Sequence, residues 1–332
     1  MFNHGGLLMK NQYGFTLIEL MLSLTLGLII TAAAILLFFT GQKSLTLQHG
    51  ATDLQDNANF GLNYIVKDIR LANLDAGRAF MNDQTTYGGV VLTSTANAFV
   101  DTLNANTKIA NLPNSILEAK APLTLLTQSD GDSVGTAPAW AGASNVNDFT
   151  SDQLVIQYAP TEIGGFDCEG QSINTTNNYI VERYFLRVDT RALTSEPNKA
   201  LALACDSGHY PKSGSPTEIT GFGDAGQIIM KRVDYFRVLL GIDVGNGQYR
   251  YISSHDYLTN YASPRPRILS VQLGILTRSV QSLGRDTAIK DNQTFNVLDR
   301  TVTVKTPQSN SPKYIRQVIS QTIALRNGFG SR

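Results

Sequence analysis

The sequence predicts an α+β protein in which one long N-terminal helix precedes a domain of antiparallel β-strands. An apolar run occupies residues 15–39, and the chain then continues without proline to Asn73. From Gly77 onward, short β-branched and aromatic stretches alternate with turns rich in glycine and asparagine. The change from helical spacing to short strands therefore divides the chain into a helical and a β-rich part.

The first part of the helix has the length and composition of a membrane anchor. About 20 apolar residues span a bilayer, and residues 15–39 contain one charged residue, Glu19. A charge in hydrocarbon costs roughly 2.5–3.5 kcal/mol on insertion scales, so a carboxylate at this place indicates a function. Lys10 lies before the run and favours a cytoplasmic N-terminus.

The second part of the helix is predicted to be amphipathic. Five small or apolar residues follow one another at spacings of four, three, four and four, which places them on one helical face. They are Leu54, Ala58, Gly61, Ile65 and Ile69. This face is predicted to pack on the β-domain rather than on lipid.

The β-domain is predicted from segments rich in Val, Ile, Thr, Tyr and Phe. Residues 179–188 and 200–205 are expected to form a hairpin, and Asn246-Gly247 is a favourable pair for a tight turn. The stretch 129–150 is interpreted as a surface loop. The predicted strands are 88–93, 123–127, 153–158, 179–188, 200–205, 228–243, 248–252, 268–277, 294–304 and 314–325.

Composition excludes several classes of function. The formal net charge of the 332 residues is +0, so bulk nucleic-acid binding is not predicted. No catalytic triad, phosphate loop or histidine–cysteine cluster stands out, and an enzyme, a cofactor and a metal are not expected. Four acidic residues are interpreted as solvated loop carboxylates: Asp130, Asp132, Asp152 and Asp167.

The two cysteines, Cys168 and Cys205, are expected to form one disulfide if the domain is exported. If the two predicted strands 179–188 and 200–205 pair, Cys205 returns close to Cys168. Two free buried thiols are the alternative.

The start of the apolar run resembles the processing site of type IV prepilins and pseudopilins. The residues that carry the resemblance are Gly14-Phe15-Thr16-Leu17-Ile18-Glu19. In that family a membrane peptidase cuts after the glycine and N-methylates the new terminal phenylalanine, which here implies Gly14 and Phe15. The alternatives are a signal peptide cleaved after Ala32-Ala33-Ala34 and a plain anchor helix with Glu19 near the interface.

Later segments resemble the PilW minor pilins more specifically. Two of them lie at the predicted end of the helix, and three lie in predicted strands. They are residues 54–60, 64–72, 233–243, 267–279 and 322–327. The type II secretion pseudopilin GspJ has a similar layout and is the main rival.

The resemblance implies a type IV pilin-like fold: a long helix, membrane-spanning in its first half, packed on a C-terminal antiparallel sheet domain. It divides the chain into a leader (1–14), a transmembrane or filament-core helix (15–40), its amphipathic continuation (41–75) and a periplasmic head (76–332). Glu19 would pair with the amine of Phe15 of a neighbouring subunit.

The resemblance also implies partners and a location. The partners are the prepilin peptidase, other minor pilins, the major pilin, the inner-membrane assembly platform and a tip adhesin. The chain would span the inner membrane once, with its head in the periplasm, before it enters the pilus at the tip. The family role is to prime pilus assembly for twitching, adhesion or DNA uptake.

The sequence gives weak support for two other sites, a calcium-binding turn and a basic binding face. Related chains often carry an acidic, glycine-rich turn that suggests calcium, but residues 243–248 offer one carboxylate and one side-chain amide, too few for an oxygen cage. A plain hairpin turn is therefore expected. A surface- or DNA-binding module would need Arg265, Arg267, Arg278 and Lys290 to gather on one face.

Overall fold

The computed structural model describes residues 14–93, 95–100, 104, 106–119, 125–132, 139–192, 196–284, 289–290, 292–307 and 311–330. Two compact units divide the chain, residues 1–49 and residues 50–332. Most of the predicted leader, including Lys10, lies outside the described residues.

One helix, α1 (Leu17–Ile69), contains both predicted helical parts. The five residues of the predicted apolar face are all buried, which confirms the prediction that this face packs on the β-domain. Leu62 and Val66 widen the buried stripe. The turn that follows the helix is held by a distant residue, because the side chain of Asn327 donates to the carbonyls of Arg70 and Ala72 at 3.3 and 3.2 Å.

The remaining elements are short helices and strands. They are β1 (Phe99–Val100), β2 (Lys108–Ile109), α2 (Asn114–Ala119), β3 (Leu154–Tyr158), β4 (Asn178–Val188), β5 (Leu201–Pro211), β6 (Gln227–Lys231), β7 (Val233–Gly245), β8 (Gln248–Ile252), α3 (Ser254–Asn260), β9 (Arg267–Arg278), β10 (Thr294–Val297), β11 (Arg300–Thr303) and β12 (Arg316–Ala324). A short 3₁₀ turn, Arg326–Gly328, follows β12.

Two antiparallel four-stranded sheets form the head. Sheet A has the order β3-β4-β5-β6, and sheet B has the order β12-β9-β7-β8. The predicted hairpin of 179–188 with 200–205 is present as β4 and β5, with Tyr184 opposite Cys205. One apolar core contains side chains of α1, sheet A and sheet B, such as Ile65, Leu203 and Phe236.

The predicted single strand 228–243 is wrong. It is two strands, β6 and β7, and they belong to different sheets. Arg232 separates them with a φ of 57°, a left-handed conformation that interrupts an extended strand. The buried guanidinium of Arg232 pairs with Asp189 at 2.9 Å and with Glu196 at 2.7 Å, and these contacts hold the residue in place.

Three further strand predictions need correction. Residues 294–304 form a tight hairpin, β10–β11, that turns through Leu298 at a φ of 55°. Residues 88–93 form no strand; only Val90 makes an isolated bridge, to Ile156. Of 123–127, residues 123 and 124 lie outside the described residues, and residues 125–127 form no strand.

Two of the acidic residues interpreted as solvated are buried. Asp152 pairs with Arg237 at 3.2 Å and accepts the backbone N–H of Val238 at 2.7 Å. Asp132 accepts the hydroxyl of Ser254 at 2.5 Å. A polar loop sequence does not reveal that its carboxylates face an arginine of a distant strand and a hydroxyl of a distant helix.

A buried ion-pair cluster, formed by Asp234, Glu196, Arg278 and Arg316, joins strands of sheet B to the loop before β5. Asp234 is fully buried and forms ion pairs with Arg316 at 2.8 Å and with Arg278 at 3.4 Å. Arg278 also pairs with Glu196 at 2.6 Å. Removing one member of such a cluster leaves an uncompensated buried charge.

Of the four basic residues that a surface- or DNA-binding module would need, three form ion pairs within the head. Arg278 is buried in the ion-pair cluster, Arg265 pairs with Asp83 at 2.5 Å, and Arg267 pairs with Asp243 at 3.2 Å. The positive charges of these arginines are therefore paired with carboxylates of the same chain.

We expect Gly61→Leu to lower the free energy of unfolding by about 1–3 kcal/mol, because an inserted side chain overpacks the core. A Cβ at Gly61 would lie 2.7 Å from the terminal methyl of Met230 and 3.0 Å from its Cβ. Urea unfolding of the full chain in detergent micelles measures the effect. Gly41→Leu is the matched control, since nothing lies within 4 Å of a Cβ there. Equal unfolding midpoints for the two variants would contradict the packing.

We expect Asp234→Ala to cost about 3–5 kcal/mol of stability, because it leaves Arg278 and Arg316 buried without their carboxylate. Asp75→Ala is the control and should cost less than about 1 kcal/mol, since the Asp75 side chain is 52% exposed in its pair with Lys212. The same unfolding assay compares them, and a loss at Asp234 no larger than that at Asp75 would refute the importance of the cluster.

Candidate functional site

The predicted processing segment forms a reciprocal cap at the start of α1. The backbone N–H and the hydroxyl of Thr16 donate to Glu19 Oε2 at 3.0 and 3.1 Å, and the N–H of Glu19 donates to the Thr16 hydroxyl at 3.2 Å. This is a capping box, in which two side chains satisfy backbone donors of the first helical turn. Glu19 therefore stands at a fixed place one turn into the helix.

The surface of the helix after Glu19 is apolar and exposed. Phe15 is 88% exposed, and the leucines, isoleucines and phenylalanines up to Phe39 are exposed as well. Among the described residues, α1 is the helix that has the length and composition to cross a membrane. Isolated apolar residues on a surface are ordinary, but a continuous apolar helix indicates lipid or protein contact.

Polar contacts fasten the second half of α1 to the head. The side-chain amide of Asn57 donates to the carbonyl of Lys231 at 2.9 Å and accepts its N–H at 3.2 Å, next to the end of β6. The hydroxyl of Tyr64 donates to the carbonyl of Cys168 at 3.2 Å. The helix is thus held by sheet A and by the loop between β3 and β4.

Cys168 and Cys205 form a disulfide, with their Cα atoms 6.1 Å apart and 37 residues apart in sequence. Cys168 lies in the loop between β3 and β4, and Cys205 lies in β5. Both cysteines are buried. The crosslink fastens that loop to sheet A beside Tyr64, at the place where α1 packs.

Two carboxyl groups are buried beside the disulfide. Asp68 of α1 is 3% exposed and Glu182 of β4 is 0% exposed. The hydroxyl of Tyr184 lies between them, 2.9 Å from Glu182 Oε2 and 3.4 Å from Asp68 Oδ2. Burial and, to a smaller extent, the neighbouring Asp68 together raise the pKa of Glu182 to about 8. Burial likewise raises the pKa of Asp68 to about 6, while Lys67 acts in the opposite direction.

Residues 243–248, the candidate calcium turn, form a hairpin turn between β7 and β8. Asn246 and Gly247 both have positive φ, 53° and 71°, as a tight turn of this kind requires. Asp243 is already engaged, because it pairs with Arg267 at 3.2 Å and accepts the N–H of Gly245 at 2.9 Å. The plain hairpin turn expected from the sequence is what forms.

One group of three carboxylates among the described residues has oxygens within 4.8 Å of one another: Glu169, Asp206 and Asp224. The guanidinium of Arg183 lies against this group, 2.8 Å from Asp206 and 2.9 Å from the carbonyl of Asp224. An arginine already supplies the positive charge there, so the arrangement is an ion-pair cluster.

Two family models match the sequence. The model described as type IV pilus-assembly protein W, PilW, matches residues 183–327, and the prokaryotic N-terminal methylation motif matches residues 9–35. Residues 183–327 are thus similar to the PilW family. The chain is a type IV pilin-like minor pilin whose N-terminal apolar helix fits a membrane-anchored pilin.

The other comparisons add little. A type IV-like pilin from Thermus thermophilus aligns with 82% of this chain and 97% of its own length, at 12% identity. Its TM-score of 0.35 is too low to support an argument about the fold. No curated protein matches the sequence of the chain.

The two family matches cover the two most informative regions of the chain. The methylation motif contains Gly14, Phe15 and Glu19, and the PilW match runs from β4 through Asn327. The strand and helix-end segments of the resemblance meet in space, since β7, β9 and β12 are neighbours in sheet B and Asn327 bonds the turn after α1.

Sequence reasoning missed two features of the site. The capping box was readable, because Thr16-Leu17-Ile18-Glu19 has the spacing of that motif. The buried Glu182 also left a signal: alternation along β4 places it on the same face as Ile180 and Tyr184, which is a carboxyl among apolar neighbours. Its partner Asp68 left one too, since it follows Ile65 by three residues and Gly61 by seven and so lies on the predicted apolar face of the helix.

We expect the double variant Cys168→Ala/Cys205→Ala to lose about 4 kcal/mol of stability, because the crosslink restricts the unfolded chain over a loop of this length. Urea unfolding of the full chain with and without reductant measures it. The wild type should move to the midpoint of the variant on reduction, while the variant should not respond. A wild type that is insensitive to reductant would contradict a stabilising crosslink.

Proposed function

We propose that the protein is a building block of a type IV pilus that acts in the priming complex at the pilus tip. The observation that carries the proposal is Glu19, a single capped carboxylate on an exposed apolar helix directly after a Gly14-Phe15 processing motif. A catalytic role is not part of the proposal, since pilins are structural proteins.

Processing would create the partner of Glu19. Cleavage after Gly14 gives Phe15 a free amine, which is then methylated and remains cationic. In the filament, the carboxylate of Glu19 would neutralise the Phe15 amine of a neighbouring subunit, so that two charges costly alone are tolerated together. Both capping contacts from Thr16 use Oε2, which leaves Oε1 as the oxygen for the neighbouring amine.

The exposed apolar side chains would supply the rest of the assembly energy. Burying an exposed leucine or phenylalanine contributes about 1.5–3 kcal/mol, and the first half of α1 carries many of them. In this proposal apolar packing drives assembly and the charge pair sets the register between subunits.

The proposed location follows from the motif and the cysteines. Before assembly the N-terminus would face the cytoplasm, α1 would span the inner membrane, and the head would lie in the periplasm, where disulfides form. The proposed partners are the prepilin peptidase, the other pilins, the assembly platform and a tip adhesin. The size of the head, which spans most of 332 residues, suits a subunit used in few copies.

We expect Glu19→Ala to lower the amount of this protein in sheared pili by at least about tenfold and to leave cleavage intact. An unpaired charge in hydrocarbon costs roughly 2.5–3.5 kcal/mol, which is more than a factor of ten. Immunoblots of pilus and membrane fractions measure incorporation, and N-terminal mass spectrometry of the membrane form measures processing at Phe15.

Asp53→Ala is the control for that experiment, because Asp53 is another exposed carboxylate of α1 and lies outside the apolar run. Wild-type incorporation of Glu19→Ala would refute the charge pair. A terminus after Ala34 would identify a signal peptide, and lost protein secretion with intact pili on deletion would identify a secretion pseudopilin instead.

A further inference from the structure

The geometry around Tyr184 points to a proton-dependent clasp: Asp68 and Glu182 share one proton at neutral pH, and this proton fastens the end of α1 to β4 and to the disulfide loop. We infer that the stability of the head therefore responds to the surrounding pH. The inference concerns the head alone and does not depend on the proposed function.

The hydrogen bonds around Glu182 leave a defined place for the proton. Glu182 Oε1 already accepts the hydroxyl of Tyr158 and the backbone N–H of Cys168, both at 3.1 Å. Glu182 Oε2 has the hydroxyl of Tyr184 as its partner at 2.9 Å. Of the two oxygens, Oε2 is the one on which a proton adds a hydrogen bond rather than removing one.

The two contacts of Tyr184 favour that proton. The tyrosine has one hydroxyl hydrogen but contacts two carboxyl oxygens, Glu182 Oε2 and Asp68 Oδ2. If both carboxylates are ionised, the hydroxyl hydrogen of Tyr184 can serve one of the two contacts. The other contact then places two oxygen atoms next to each other with no hydrogen between them. If Glu182 Oε2 carries a proton, this proton is donated to the Tyr184 oxygen, and the Tyr184 hydroxyl donates to Asp68. Each of the two contacts of Tyr184 then contains a hydrogen.

The surroundings favour the protonated pair. A buried carboxylate without a cation is strongly disfavoured. The ionisable groups that face the pair are Lys67 and Tyr64 from α1, Asp167 from the disulfide loop, Tyr158 from β3 and Tyr184 from β4. Lys67 is exposed and is the one cation among them, while Asp167 adds further negative charge.

The sign of the effect on stability follows from the raised pKa values. Glu182 and Asp68 have ordinary values of 4.5 and 3.8 when unfolded, and the folded values are about 8 and about 6. At a pH between the unfolded and the folded pKa values, the folded state binds more protons than the unfolded state, so the free energy of unfolding falls as pH rises. The stabilisation is complete below the ordinary pKa values and is lost by about pH 8.

The contacts of the pair show where the effect of losing the proton is felt. Glu182 holds the N–H of Cys168, and Tyr64 of α1 holds the carbonyl of the same residue. Ionising both carboxyls therefore weakens the join of α1, β4 and the disulfide loop at once. The protection of backbone amides against hydrogen exchange, relative to their intrinsic exchange rates, should fall there first at alkaline pH.

The test is urea unfolding of the full chain in detergent micelles from pH 5 to 9, with wild type and Glu182→Gln compared. Glutamine keeps the size of the side chain but carries no titrating proton. The unfolding constant of the wild type, divided by that of the variant, should rise close to tenfold per pH unit between about pH 5 and 8, since folding takes up one proton. Glu162→Gln, which changes an exposed carboxylate of the loop between β3 and β4, is the control and should keep the wild-type slope.

A second measurement keeps the inference testable if Glu182→Gln does not fold. Infrared spectra of the full chain labelled with ¹³C-carboxyl glutamate report a protonated glutamic acid separately from aspartic acids. The wild type and Glu162→Gln should both show the protonated band at pH 7 and lose it by pH 9. A wild type with no such band at pH 7, or a pH slope equal to that of Glu182→Gln, would overturn the clasp.

Discussion

The structure depends on the burial of one face of α1 in the core of the head. Residues such as Ile65 and Ile69 are fully buried and share a core with apolar side chains of both sheets. Isolated helices owe little stability to propensity alone, so this packing is what fixes the second half of α1. Gly61 permits the close approach of Met230 to the helix, and Asn327 holds the turn that follows it.

Polar groups then specify how the pieces around that core fit together. Asp234 draws together arginines of β9 and β12, and Arg232 separates β6 from β7 by adopting a left-handed conformation held by two carboxylates. A buried ion pair contributes little net stability, but its loss is costly. The clusters therefore select one arrangement of the two sheets more than they strengthen it.

The N-terminal part of the chain differs from the head in which side chains it exposes. Its apolar side chains stay exposed, and its one charge is held by a capping box with Thr16. A surface of this kind is unfavourable in water and requires lipid or other helices. The same polypeptide thus carries a segment whose partners lie outside the chain and a head whose partners lie within it.

The sequence alone determined the features that depend on local pattern. Helical spacing predicted the buried face of α1, alternation and turn residues predicted the hairpins β4–β5 and β7–β8, and two cysteines predicted the disulfide. The processing motif was equally readable, because a carboxylate inside an apolar run is conspicuous by itself.

Only the tertiary structure decided which distant groups meet. The break at Arg232, the burial of Asp152 and the contact of Asp68 with Tyr184, 116 residues away, follow from how the sheets and α1 pack. Periodicity assigns a residue to a face, but it does not name the partner across the core. The charge state of a buried carboxyl depends on that partner, so it is decided by the fold.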